Sequence, residues 1–389
     1  MNRLLLLLLL SFASLESSAT QWIQRADVPA EGRHRPCGIG FQNRGYMGLG
    51  HYNGTGVETY FNDWWSFDPG TNSWTQKANY PGNNGIGDLG THCWTYSNYI
   101  YVGLGEVQHR QLFRFNPTSN TWEQMTSAPS GINFQDTQEM VVDDGAYFMN
   151  LYNGDLYYYD NASDNWSMVG TTGMPMGYTY SAFTYNDNIF IKADYDMYMF
   201  ETATGIWYQV ISAGSFPGFA IRGSAEFFLD GYFYVVCGHG PTTSEITSEV
   251  WKFDPTTYQW TQLEDFPGSS RRYLKSFVIG NKAYIYCGTN GTNFKDLWEF
   301  APTLSADEST DEISLNFYPN PATEFVNINS KNLNFFEVKI LNSKGQLVNQ
   351  MTTNNGELSF DISSLPNGSY FFQVFERSVL LKSEMIIVQ

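Results

Sequence analysis

Five histidines, His34, His51, His92, His109 and His239, stand in a chain of 389 residues of which only 15% are charged, so groups able to do chemistry are few. Guanidinium groups such as those of Arg222 and Arg272 match a carboxylate bidentately, and Glu106 or a histidine beside them would shuttle protons. No pair among His51, His92 and His109 has the tight ligand spacing of a zinc site, so neither a metal nor another cofactor is expected. No Ser-His-Asp arrangement and no phosphate loop stands out. The four cysteines fall into related pairs, Cys37 with Cys93 and Cys237 with Cys287. If the pairs sit at equivalent points of neighbouring repeats, their separation works against an undistorted bridge. That tilts the expectation towards buried free thiols and leaves the disulfide open.

The elements that must position these residues are read from a repeat. An aromatic residue is followed seven positions later by Trp five times: Phe67 and Trp74, Phe115 and Trp122, Tyr159 and Trp166, Phe200 and Trp207, Phe253 and Trp260. The residues between are turn formers, as in Asp68-Pro69-Gly70 and Asn116-Pro117-Thr118, so each unit ends in a β-hairpin. Before each hairpin lie two more strands joined by tight turns such as Asp143-Asp144-Gly145 and Asp230-Gly231. Steps of 41 to 53 residues between successive tryptophans suit a four-stranded antiparallel unit. Runs such as Trp64-Trp65-Ser66-Phe67 are apolar on both faces, as a sheet packed between two others requires. An all-β, six-bladed β-propeller over residues 20–302 follows. The last unit lacks a Trp hairpin after Phe300, and Trp22 has no hairpin before it, so the strand around Trp22 is expected to complete the sixth blade.

These units resemble the kelch repeat, with its double-Gly strand end, aromatic-Asp-Pro turn and spaced Trp. The double Gly is degenerate here: Gly48-Leu49-Gly50, Gly103-Leu104-Gly105, Cys237-Gly238 and Cys287-Gly288. Aromatic residues reach 17%, and most are accounted for by strands and blade tryptophans. With 21 Lys and Arg against 39 Asp and Glu, the net charge of −18 repels phosphate backbones, so no nucleic-acid partner is expected.

Arg3 and the leucines from Leu4 to Leu10, followed by Ser17-Ser18-Ala19, read as a signal peptide over residues 1–19, too short in its apolar run to span a bilayer. No transmembrane anchor is expected in the mature chain. Residues 303–312, with Asp307, Glu308, Asp311 and Glu312, read as an acidic linker. Residues 313–389 alternate as short strands and fit a small Ig-like β-sandwich. This tail resembles the C-terminal sorting domain of type IX secretion cargo in Phe317-Tyr318-Pro319-Asn320-Pro321, in Leu365-Pro366-Asn367-Gly368-Ser369-Tyr370 and in Lys382 with its closing apolar strand. The resemblance implies a translocon as partner, Pro319, Asn320, Pro321, Leu365, Gly368, Tyr370 and Lys382 as its motif, and an extracellular or cell-surface location.

In a propeller the 4-1 and 2-3 connections share one face, which gathers all five histidines with Arg35, Asp88, Asp136, Arg222 and Arg272, and with Glu245 and Glu249. Arg35, His51, Glu106, Arg222, His239 and Arg272 are the candidate ligand-binding residues. Tyr178, Phe219 and Tyr273 are candidate stacking surfaces for a sugar. The expected function is an exported binding protein for a protein or glycan ligand. The alternative, implied by similarity to six-bladed kelch proteins such as N-acetylneuraminate epimerase, is a carbohydrate-active enzyme for an acidic sugar. The copper site of galactose oxidase, another kelch-type propeller, maps onto no constellation here.

Overall fold

A computed structural model describes residues 22–54, 56–134, 139–150, 153–171, 180–210, 216–220, 222–302, 315–330, 336–342, 346–353, 356–376 and 379–389. The expected signal peptide and acidic linker, with Asp136 and Tyr178, lie outside these residues. The chain divides into two compact units, Met1–Thr303 and Leu304–Gln389. No helix of the described residues is long and apolar enough to cross a membrane.

The first unit is a ring of six four-stranded antiparallel sheets. Blade 1 comprises Cys37–Phe41, Arg44–Gly48, Trp64–Asp68 and Ser73–Gln76, and blade 2 His92–Tyr96, Tyr99–Gly103, Leu112–Asn116 and Thr121–Gln124. Blade 3 comprises Met140–Val142, Gly145–Met149, Asp155–Asp160 and Asn165–Thr171, and blade 4 Tyr180–Tyr185, Asn188–Ala193, Asp196–Glu201 and Ile206–Gln209. Blade 5 runs through Ala225–Leu229, Tyr232–Val236, Val250–Asp254 and Gln259–Gln262. Blade 6 takes Lys275–Ile279, Lys282–Tyr286 and Leu297–Phe300, and its outer strand is Trp22–Arg25 from the other end of the chain.

The seven-residue spacing has a direct structural cause. Each aromatic residue and its Trp are cross-strand partners on the two outer strands, as Phe67 faces Trp74 and Phe253 faces Trp260. Trp22 faces Phe300 in the same register, although 278 residues separate them. The turn is closed by an Asn or Asp two residues before Trp that adopts positive φ: Asn72 at 50°, Asn120 at 56° and Asp164 at 51°. Short polar side chains tolerate that conformation. Those same side chains accept hydrogen bonds from the backbone of the preceding blade's exit, Asn72 from Ala26, Asn120 from Ala78 and Asp164 from Thr126. The Trp indole donates back to the carbonyls of Ala26, Ala78 and Thr126. One turn residue and one Trp thus lock each of blades 1 to 3 to its predecessor.

Deeper in, Arg33 and Arg271 are buried and form bidentate pairs with Asp63 and Asp296, and each also donates to the carbonyl of the residue just past its blade's second strand, Leu49 or Cys287. All four cysteines are buried as thiols.

The second unit is a sandwich of two antiparallel sheets. One contains Leu315–Tyr318, Phe325–Ser330 and Glu357–Asp361; the other contains Leu347–Thr353, Phe336–Asn342, Gly368–Glu376 and Val379–Val388. Val326, Ile328, Val338, Ile340, Phe360, Phe372, Val374 and Ile386 fill the space between them.

Candidate functional site

Blades 1, 5 and 6 repeat a small backbone device, in which a residue ahead of the first strand is bridged to a residue just beyond the second. His34 exchanges two backbone hydrogen bonds with His51 (3.0 and 2.9 Å), Arg222 with His239 (3.2 and 2.8 Å) and Arg272 with Thr289 (2.9 Å each). The residue that follows is left-handed in all three, and blade 2 has a fourth at the matching point: Arg35 at φ 51°, Gly90 at 59°, Gly223 at 64° and Tyr273 at 57°. These four form a belt from blade to blade, with the Tyr273 amide on the Gly223 carbonyl (2.7 Å), Arg35 on Tyr273 (2.8 Å) and Gly90 on Arg35 (3.1 Å). Glycine takes this conformation freely. Arginine and tyrosine pay roughly 1–2 kcal/mol each for it, and both line a cavity.

That cavity has a volume of about 270 Å³ and is lined by His34, Arg35, His51, Asn53, Arg272, Tyr273, Thr289 and Gly291. Its size suits a ligand on the scale of one monosaccharide. Tyr273 is the hub. The Arg35 guanidinium lies 4.1 Å from its ring centre and that of Arg272 5.4 Å, while the His34 and His239 rings are 5.9 and 5.5 Å away. His34 donates from Nε2 to Asn53 Oδ1 (3.1 Å), and its ring meets that of His51 edge-on at 5.0 Å. Arg35 also pairs with Glu106 at 3.3 Å, and Arg272 donates to the Thr243 carbonyl.

The electrostatics favour neutral imidazoles surrounded by fixed positive charge. Burial, then the charges of Arg35, His51 and Arg272, lower the pKa of His34 to about 4 against the pull of its bond to Asn53. Burial also lowers His51, with Arg35 adding to the effect and Glu58 opposing it. Burial lowers His239, with Arg272 and Arg222 adding to the effect and the Gly240 carbonyl opposing it. Among the described residues, His34 Nδ1, both ring nitrogens of His51, His239 Nε2 and Arg272 Nε are buried without a hydrogen-bond partner.

The structure brings Arg35, His51 and Arg272 together on the cavity wall and places His239 beside Tyr273. Glu106 reaches the cluster through Arg35. Arg222 stands one blade further round, bridged to His239. Arg35 is equivalent to Gly223 and Tyr273, whereas Arg222 and Arg272 are equivalent to His34, so the arginines do not share one position. His92 belongs elsewhere: it is buried in the first strand of blade 2, with Nδ1 2.9 Å from the Glu139 carboxylate and Nε2 3.2 Å from the Phe134 carbonyl. His109 bonds its own loop at the Gly105 carbonyl. Asp88 is buried, accepting from the amides of Leu89, Val107 and Gln108. Glu249 accepts from the Phe219 amide and the Trp251 indole, and Glu245 from Thr242. Tyr273 is half-buried with a guanidinium over its ring, which takes that ring out of use as an open stacking platform; Phe219 is 41% exposed. His34, expected on this face but not among the six candidate residues, and Asn53, not singled out at all, also line the cavity. The signal for His34 lay in its alignment with Arg222 and Arg272 ahead of the first strands.

Among the described residues, no group of three His, Cys, Asp or Glu side chains could hold a metal ion.

In the second unit the motif residues have structural partners. The Asn320 side chain donates to the Met385 carbonyl (2.8 Å) and accepts from the Ile387 amide (3.0 Å), clipping the segment between Pro319 and Pro321 to the last strand. Tyr370 donates to the Pro366 carbonyl (3.0 Å) across the turn that includes Gly368, and Leu365 packs against the core. Lys382 donates to the Leu315 carbonyl (3.1 Å) and lies 5.2 Å from the Phe317 ring.

The first unit is therefore a kelch-type β-propeller, and the second a type IX C-terminal sorting domain. The family model described as a secretion system C-terminal sorting domain matches residues 316–389, and that of the kelch motif matches residues 228–267. Over 115 residues the chain is 27% identical to N-acetylneuraminate epimerase of Escherichia coli O1:K1 / APEC, and 26% identical to that of Shigella flexneri. These matches cover 28% of this chain and 31% of each relative, so the chain spans under a third of the length of the curated relatives it matches. The solved structure titled "Structure of YjhT" superposes with a TM-score of 0.55 at 14% identity, over 70% of this chain and 95% of that one. The sorting domain implies delivery to the cell surface or medium.

Proposed function

We propose that this exported protein is a carbohydrate-binding propeller that takes an acidic sugar, by its carboxylate, in the cavity around Tyr273. The observation that carries this reading is the left-handed belt. Blades 2 and 5 place Gly90 and Gly223 in it, but blades 6 and 1 place Tyr273 and Arg35 there at a conformational cost. Strain of this kind clusters where function needs a side chain in one place. Arg35 and Arg272 supply the charge for a carboxylate, and the side chains of His34, His51 and Asn53 line the same cavity as hydrogen-bonding groups for hydroxyls. Calorimetric titration of the mature chain should show binding of an acidic monosaccharide and none of its neutral counterpart. Arg35→Ala should weaken the affinity about 10- to 100-fold, since a hydrogen bond to a charged group contributes roughly 1.5–3 kcal/mol. Equal affinity for acidic and neutral sugars would overturn the proposal.

A second reading, anomer interconversion of an acidic sugar, is favoured by one feature: neutral imidazoles beside arginines, with Glu106 near by, are groups able to accept and return a proton. Exchange between anomer signals followed by NMR, faster with the protein than without it, would favour catalysis over simple binding.

A further inference from the structure

The fold treats its two cysteine pairs differently. Cys37 and Cys93 stand on the first strands of adjacent blades 1 and 2 and pack in one apolar cluster with Tyr46, Leu49 and Trp64. Cys37 Sγ lies 3.8 Å from the carbonyl of His92, the residue preceding Cys93, and the strands that carry the two cysteines pack against one another. Cys237 and Cys287 directly follow the second strands of blades 5 and 6, but they sit in separate clusters.

We propose that Cys37 and Cys93 are joined by a disulfide in the exported protein, stapling blade 1 to blade 2, while Cys237 and Cys287 stay thiols. Export through an oxidising compartment supplies the setting. The two thiols give up two protons and two electrons, and the oxidant is a disulfide-donor oxidoreductase whose own disulfide becomes a dithiol. One thiolate attacks the donor to form a mixed disulfide, and the second displaces the donor's sulfur. Burial holds the Cys93 thiol well above the usual thiol range in the folded ring. The exchange therefore belongs to the folding chain, before the blades close over the pair.

Full-length mature protein collected after export is denatured without reductant, alkylated and mapped by mass spectrometry. The expected result is a Cys37–Cys93 linked peptide with Cys237 and Cys287 alkylated, two titratable thiols per denatured chain before reduction and four after it. Reduction should also lower the propeller's melting transition by about 7 °C, the loss anticipated for opening a loop of this length in a domain of this size. Four alkylated cysteines before reduction, or a link through Cys237 or Cys287, would overturn the proposal. The mapping is done on the wild-type chain, so its outcome does not depend on any variant folding.

Discussion

Replacing His34 by glutamine should flatten the acid side of the propeller's stability profile. In the unfolded chain a histidine takes up its proton around pH 6.5; in the fold, His34 resists protonation down to about pH 4. Between those values the unfolded chain binds more protons than the native one, so stability falls as pH falls. The contribution is fully retained above pH 6.5 and is lost progressively towards pH 4. A separation of this size amounts to roughly 3 kcal/mol once fully developed, and to about 2 kcal/mol between pH 8 and pH 5. The glutamine has no proton to gain, and its amide can still donate to Asn53.

The assay is urea unfolding at pH 8 and pH 5, followed by tryptophan fluorescence. All 11 tryptophans lie between Trp22 and Trp298, so the signal reports the propeller and not the tail. Wild type should lose about 2 kcal/mol more than His34→Gln between the two pH values. Groups remote from His34 are common to both proteins and cancel from the comparison. If the two proteins lose the same stability on acidification, the view of His34 as a neutral, desolvated group held among arginines is wrong.

Two further predictions concern the ring closure and the tail. Trp22→Ala should destabilise the propeller by about 3–5 kcal/mol, because Trp22 packs against Phe266 and Phe300 at 5.2 and 4.8 Å, whereas Ile23→Ala on the same strand, at a side chain 46% exposed, should cost under about 0.5 kcal/mol in denaturant unfolding. Asn320→Ala removes both side-chain bonds to the last strand and should destabilise the sorting domain by about 1–2 kcal/mol, with protein retained in the cells when culture medium and cell fractions are compared by immunoblot.

The architecture was legible because it is carried by cross-strand pairs at fixed spacing. Phe253 and Trp260 are close in sequence, and the turn residues between them declare the hairpin. The closure between Trp22 and Phe300 could be inferred because an unpaired half-hairpin was left at each end of the repeat. The site was less legible, since its geometry resides in backbone conformation. Nothing local marks Arg35 or Tyr273 as left-handed; only their alignment with Gly90 and Gly223 does. Nor does sequence tell which of two adjacent arginines turns inward. Arg271 is buried against Asp296, whereas Arg272 faces the cavity, and that choice follows from which peptide plane bridges Thr289.

The position of the cavity follows from where strain can be supported. A left-handed Arg or Tyr persists only if its neighbours hold both flanking peptides, and the belt does so by tying Tyr273 to Gly223 on one side and to Arg35 on the other. Blades 1, 5 and 6 add the reciprocal bridges that fix the preceding residue. These blades also surround the seam at which Trp22–Arg25 completes blade 6. The guanidinium groups gathered there stand against a chain of net charge −18. At physiological ionic strength, charges more than about 8 Å away are largely screened, so an anionic ligand in this cavity would meet chiefly its near neighbours: Arg35 with its partner Glu106, and Arg272. On the proposed reading, affinity for such a ligand would come from direct contact with Arg35 and Arg272 and not from long-range steering, so the placement of those two side chains, and with it the integrity of the seam, would decide whether an acidic sugar is held.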